Sequence, residues 1–298
     1  MSIPTASTGT PPTLSVVIVR FAGGDAIVRT LTSLAPQVAR VAGETLVACR
    51  AGDEPTDEMR RRFPHVRWIA GDGSASPARL RALAVRASTG GIVACTEDHC
   101  TPTEDWCARV LAAHVGATAI VGGAIDKAPS SDGSAWAAYL LDYARYMSPL
   151  PAGPAAYASD CNVSYPRAEL DAIEHQWREE FHETTVHWAL HARGTPVLLD
   201  PTLVVLQHRD VVLADYLVER REHGRTFALT RVAAASLAAR VRFALTALLL
   251  PPVILLRVRR VLATRGATGS VPASAWGPLA RAALAWSVGE WQGYWSGK

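Results

Sequence analysis

The chain has 298 residues, 49% of them hydrophobic, which is enough for one large α/β domain or a domain with an appendage. A net charge of +3 does not mark a nucleic-acid binder. Five cysteines (Cys49, Cys95, Cys100, Cys107 and Cys161) form no Cys-x-x-Cys pair, which argues for free thiols in a reducing compartment and against a disulfide frame or structural zinc.

Residues 1–12 are small and polar, without a basic or an apolar stretch. They read as a disordered leader, not a signal peptide, so the expected location is cytoplasmic. Leu14 to Arg20 is a near-continuous β-branched run, expected to be a central strand. Helical periodicity follows over 26–38, with Asp25 as the expected N-cap. Strands at 44–49 and 66–70 flank a polar helix at 56–63, and a helix with proline in its first turn spans 77–87. The run Ile92 to Cys95 reads as a buried strand that stops at Glu97-Asp98-His99. Strands alternating with helices at this spacing imply parallel βαβ units in a doubly wound sheet. A helix is expected from Pro102 to His114 and a strand at 118–125, where Gly122-Gly123 implies close approach by backbone or ligand. An aromatic-rich helix at 135–146 and a proline-rich loop at 148–156 follow. Helices at 168–173 and 181–193 come next, the second ended by Gly194. Short strands are expected at 197–200 and 203–206.

From Leu213 the character changes. A basic helix spans 216–231, and 243–256 is apolar, broken by Pro251-Pro252 and followed by Arg257, Arg259 and Arg260. The apolar run is shorter than the roughly 20 residues a bilayer-spanning helix needs. With the late tryptophans it fits a segment lying in a membrane interface, or a helical hairpin packed on the domain or on a partner subunit.

In order and spacing these features resemble glycosyltransferase family 2, the inverting GT-A transferases. Leu14 to Val19 resembles the family's opening strand, and Pro77 to Ala84 with Ala87-Ser88-Thr89-Gly90-Gly91 resembles its "A-R-N-x-G…A-x-G" helix. Glu97-Asp98-His99 followed by Pro102 and Trp106 sits where the family has Asp-x-Asp. Val121-Gly122-Gly123, Asp160 to Arg167, and His182-Glu183 resemble its later motifs. The resemblance covers about residues 14–209. Two departures stand out: Glu97 and His99 replace the two aspartates, and Cys49 to Glu54 replaces the usual base-reading Asp-Asp-Gly-Ser.

The resemblance implies an α/β, Rossmann-like doubly wound mixed sheet of GT-A type at 13–210. A basic and apolar helical segment, expected to be membrane-associated, follows at 211–298. It implies transfer of a sugar, with inversion, from a nucleotide-diphosphate sugar to an unidentified, lipid-linked or soluble acceptor at the cytoplasmic face of a membrane. Glu97, Asp98, His99 and His208 are the expected ligands of Mn²⁺ or Mg²⁺. Asp53, Arg79, Asp98 and Asn162 are expected donor contacts, and Glu183 the expected general base. For Glu97 to His99 an acidic turn capping the next helix stays open, as does a simple first-turn carboxylate for Glu183. Arg220, Arg221 and Arg225 face either a pyrophosphate or anionic lipid. His182-Glu183-Thr184-Thr185-Val186-His187 has one residue too many for a zinc-hydrolase His-Glu-x-x-His. Five helical steps turn the imidazoles apart by roughly 140°. A non-catalytic nucleotide-sugar binding module and a membrane scaffold are the alternatives.

Overall fold

Leu14–Val19 forms β1, buried at every position as its β-branched composition requires. It is identified in a computed structural model that describes residues 13–21, 23–116, 118–232 and 235–296. The expected leader at 1–12 lies outside them. In chain order follow α1 (Ala26–Arg40), β2 (Glu44–Cys49), α2 (Asp57–Arg62), β3 (Val66–Ala70), α3 (Pro77–Ala87), β4 (Ile92–Glu97), β5 (Cys100–Pro102), α4 (Trp106–Ala113) and β6 (Ile120–Lys127). Then come α5 (Gly133–Tyr143), β7 (Gly153–Ala155), β8 (Val163–Pro166), α6 (Arg167–Asp171), α7 (Glu174–Trp177), α8 (Glu183–Ala192) and β9 (Val197–Gln207). The chain closes with α9 (Leu213–Arg231), α10 (Leu237–Ala247), α11 (Leu250–Thr264) and α12 (Trp276–Ser296).

The nine strands make one mixed sheet in the order β3-β2-β1-β4-β8-β6-β9-β5, with β7 paired to β9. The β3-β2-β1-β4 half is parallel, and β8 joins β4 antiparallel. Three local expectations change. Pro102 ends the short strand β5, paired through Thr101 to Leu206, instead of opening a helix. The two expected strands at 197–206 are one strand, β9. Asp25 makes no side-chain cap on α1, whereas Thr56 and Ser76 cap α2 and α3 through Met59 and Arg79 N–H groups.

The chain divides into two units. The first runs up to Asp126 and resumes over Pro149–His208; the second joins Lys127–Ser148 to the chain from Arg209 onward. Residues 127–148, placed by sequence in the 13–210 domain, therefore belong with the C-terminal helices.

In the first unit every second residue of β1, β2 and β4 (Val17, Val19, Leu46, Ala48, Val93, Cys95) points into one core with Leu80 and Val85 of α3 and Val186 and Leu190 of α8. That core fixes the starts of α3 and α8 against the carboxyl end of β4. In the second unit, α9 and α12 approach backbone to backbone. A Cβ on Gly289 would lie 1.8 Å from the Arg221 carbonyl oxygen, and one on Gly224 2.3 Å from that of Trp286.

Candidate functional site

Helix α3 presents a buried stripe of Ala78, Arg81, Ala82 and Val85, at helical spacing. The arginine in that stripe is the centre of the site. Its Nη2 lies 3.2 Å from Glu97 Oε1, at the end of β4, and 2.6 Å from Asp160 Oδ2, just before β8. Its Nη1 donates to the Phe181 carbonyl at 3.4 Å, two residues before Glu183 opens α8. The Phe181 N–H returns to the Ala78 carbonyl at 2.9 Å. One guanidinium thus ties together three segments that each bring a carboxylate. Burial alone would disfavour its charge, but Asp160 and Glu97 hold it protonated.

The carboxylates are also pushed upward, which for them disfavours the charged form. Burial, then repulsion from Asp160, pushes Glu97 up to about 8. Burial, then Asp160, pushes Glu183 up to about 7. Glu183 is half-buried at the first position of α8.

Next to Glu97 lie nitrogen and sulfur donors. His99 Nε2 is 3.6 Å from Glu97 Oε2, and the Cys161 thiol donates to the same oxygen at 3.0 Å. Two donor sets, His99–Cys100–Cys161 and Glu97–Asp160–Cys161, each bring their ligand atoms within 4.8 Å of one another. Burial would raise the Cys100 thiol, but the Cys161 thiol and the His99 imidazole outweigh it and lower it to about 6. The thiols suit a borderline ion such as Zn²⁺, whereas Mn²⁺, a hard ion that accepts carboxylate and imidazole, is matched by Glu97 with His99; Mg²⁺, which demands oxygen, fits the set least well.

The other expected site residues divide. Asp98 is fully buried, and its Oδ2 accepts the Phe21 N–H at 3.0 Å. Its carbonyl accepts from Thr30 Oγ1 at 2.8 Å, so it bolts the end of β4 to the β1–α1 segment. His208 stands beside His99, its N–H bonded to the His99 carbonyl at 2.8 Å. Asn162 spends both amide hydrogens on the Ala124 and Leu203 carbonyls (2.8 and 2.9 Å), and its Oδ1 accepts from Trp106 Nε1 at 2.9 Å. These bonds make it a cross-brace between strands.

Arg79 is 45% exposed and turned to Asp72 and Glu179, away from the cluster, because it lies off the buried stripe. Asp53 is exposed in the loop after β2, where its carbonyl accepts from Arg20 at 2.6 Å. Arg220 is buried against Asp142 at 2.7 Å within the second unit, which makes it part of that unit's packing. Arg81, Asp160 and Cys161 were missed as site residues. An arginine on an otherwise alanine and valine helix stripe was the available signal for the first.

His182 is exposed, paired with Glu180, while His187 is buried with its Nε2 3.0 Å from the Tyr165 hydroxyl. The two imidazoles diverge as the helical spacing requires.

No protein-family model matches the chain, and no curated sequence matches it. Among solved structures it is similar to the mannosyltransferase PcManGT from Pyrobaculum calidifontis in complex with GDP-Man and Mn²⁺. The TM-score is 0.56 at 16% identity, covering 94% of this chain and 87% of that one. The fold is that of the GT-A glycosyltransferases. A further GT-A match, S. aureus TarS, has a TM-score of 0.49 at 12% identity, covering 76% of this chain and 67% of that one. On this GT-A sheet the Arg81 cluster stands at the carboxyl end of β4, the edge where open α/β sheets carry ligand groups.

Proposed function

We propose that the protein is an inverting glycosyltransferase that uses a nucleotide-diphosphate sugar. The observation that carries the reading is Glu183: a half-buried carboxylate at a helix start, pushed up to about 7, in one charge cluster with Arg81, Asp160 and Glu97 on a GT-A sheet. A base with that affinity accepts a proton near neutral pH and is still half ionised there.

In the proposed reaction Glu183 takes the proton of the acceptor hydroxyl as its oxygen bonds to the anomeric carbon. The carbon–oxygen bond to the diphosphate breaks, and the electron pair leaves with the nucleoside diphosphate. One displacement inverts the centre. Arg81 does not reach the donor, being only 3% exposed; it positions Glu97, Asp160 and the start of α8. Glu97 and His99 would hold a divalent cation, which would supply charge neutralisation for the departing diphosphate. The complex of the Pyrobaculum enzyme with GDP-Man and Mn²⁺ supports a nucleotide-sugar donor and a metal of that kind. The proposed acceptor is lipid-linked and reached at the cytoplasmic face of a membrane, in keeping with the exposed apolar helices of the second unit.

Thermal denaturation with nucleoside diphosphates and nucleotide sugars, with and without Mn²⁺, tests donor binding, since a ligand of the native state raises the midpoint. A Mn²⁺-dependent rise, together with transfer or donor hydrolysis that Glu183→Gln abolishes, is the expected result. A rise without Glu183-dependent turnover would leave a binding module. No rise with any nucleotide would remove the diphosphate site.

A further inference from the structure

The second unit carries two apolar stripes that none of its own helices covers. On and just after α10, Leu237, Val241, Leu245, Leu248 and Leu249 follow helical spacing, and Leu237, Leu245 and Leu249 are each more than 60% exposed. On α12, Leu284, Val288, Trp291 and Trp295 do the same, with exposures of 37–55%. The two helices run antiparallel. Phe243 stacks on Tyr294 at 5.7 Å, and one turn on, Ser287 Oγ donates to the Ala247 carbonyl. The stripes therefore lie at the same levels along the pair. Past the bend, Val253 and Leu256 of α11 are exposed as well.

Charge selects the occupant. From His223 to Gly289 the sequence holds nine arginines and neither aspartate nor glutamate. Arg242, Arg257, Arg259 and Arg260 are exposed on the same helices as the leucines. Within this stretch a second copy of this chain would set arginine against arginine; the exposed acid beside Trp291 and Trp295, Glu222, is already paired with Arg225 at 3.8 Å. An anionic lipid surface answers both features at once, because its phosphates meet the arginines while its acyl region takes the leucines and tryptophans.

No single described helix is long and apolar enough to cross a membrane, although α10 and α11 together pass that test with a bend of 56°. Crossing as a pair would draw Arg240 and Arg242 or Arg257 to Arg260 toward the hydrocarbon, at a cost of about 2.5–3.5 kcal/mol for each one at the centre.

We propose that this face of the second unit is a peripheral docking surface for the phosphate headgroups and outer acyl region of an anionic bilayer, with α10–α12 lying in its plane. The inference does not depend on the glycosyltransferase reading.

The test is co-sedimentation of the full chain with vesicles of phosphatidylcholine alone and of phosphatidylcholine mixed with phosphatidylglycerol. Binding is expected only to the mixed vesicles and should weaken with salt. Replacing Arg257, Arg259 and Arg260 together by Gln should lower affinity roughly a hundredfold. The exposed pair Leu245→Glu and Leu249→Glu should abolish binding without lowering the thermal midpoint, which controls for folding. A chain that stays in the supernatant with mixed vesicles at low salt overturns the proposal. So does a stable dimer in solution that the two Leu→Glu changes convert to monomer, since the face would then be covered by a second copy. Equal binding to both vesicle types would also defeat it, by removing the role of the arginines. Donor binding measured in the same variants keeps this result separate from the fate of the Glu183 site.

Discussion

Glu183 is held in an environment that disfavours its charge, and this gives its removal two opposite effects. Its affinity for a proton in the fold, about 7, lies above the ordinary value of 4.5. The folded state therefore binds more protons than the unfolded one between those values, and that stabilising contribution is present at low pH and lost as the pH rises through about 7. Glu183→Gln should raise the thermal midpoint at pH 8, leave it nearly unchanged at pH 4, and remove transfer. The wild type should show an acid limb in kcat/KM near pH 7 that no simple first-turn carboxylate explains. A lower midpoint at pH 8 in the variant would count against the site.

Arg81 is the reverse case. Arg81→Met leaves Glu97 and Asp160 facing each other without the cation between them, and should cost about 3–5 kcal/mol in urea unfolding. Arg79→Ala, two residues away but on the exposed face, should stay within about 0.5 kcal/mol. The sequence shows both arginines in the same motif. Only the helical phase, read against Ala78, Ala82 and Val85, separates them, and a resemblance to a family motif does not carry phase. The bracing role of Asn162 is hidden for a related reason: its motif position is visible, but the carbonyls of Ala124 and Leu203 that occupy its amide come from distant strands.

At the level of the elements, glycine records where backbones touch. The Gly122-Gly123 pair announced a close approach in the sequence without saying to what. The partner is protein: a Cβ on Gly123 would lie 2.2 Å from the Leu203 carbonyl oxygen and 2.4 Å from Asn162 Nδ2. Gly123→Ala should destabilise by about 1–3 kcal/mol, as overpacking does, and should loosen the brace through Trp106. Gly289→Val, which drives side-chain atoms into the Arg221 backbone, should open the α9–α12 pair. Limited proteolysis within α9 is a direct readout, and an unchanged cleavage pattern would contradict the packing described. The parallel half of the sheet was legible because each strand is a short β-branched run between turn residues. β5 and β7 were not, because three residues of paired backbone leave no periodicity to read. The boundary at 127–148 was equally hidden, since a helix's amphipathic face does not say which of two cores it will join.

For the whole molecule, acid should act through histidines that the fold keeps neutral. Burial lowers His114 and His187 to about 4. The unfolded chain takes up those protons from about pH 6.5 downward while the folded one does not, so this contribution to stability is full above pH 6.5 and falls away toward pH 4. Glu97 and Glu183, raised to about 8 and 7, act in the opposite sense over part of that interval, so the histidine contribution reads out as a difference: in urea unfolding, the stability of His187→Gln relative to the wild type should rise as the pH falls from 6.5 toward 4. Across the order of the sheet, β8 lies between β4 and β6 although the chain reaches it only after building α5 in the other unit. A ribosome-bound chain that has emerged only as far as Asp126 thus holds β4 and β6 with the strand between them still unmade. A cut after His208 would in turn strand α5, whose Trp136, Tyr139 and Leu140 are buried in the full chain. Neither unit can be made alone by simple truncation, so the nine-stranded sheet and the arginine-rich helices are bound to be expressed and lost together.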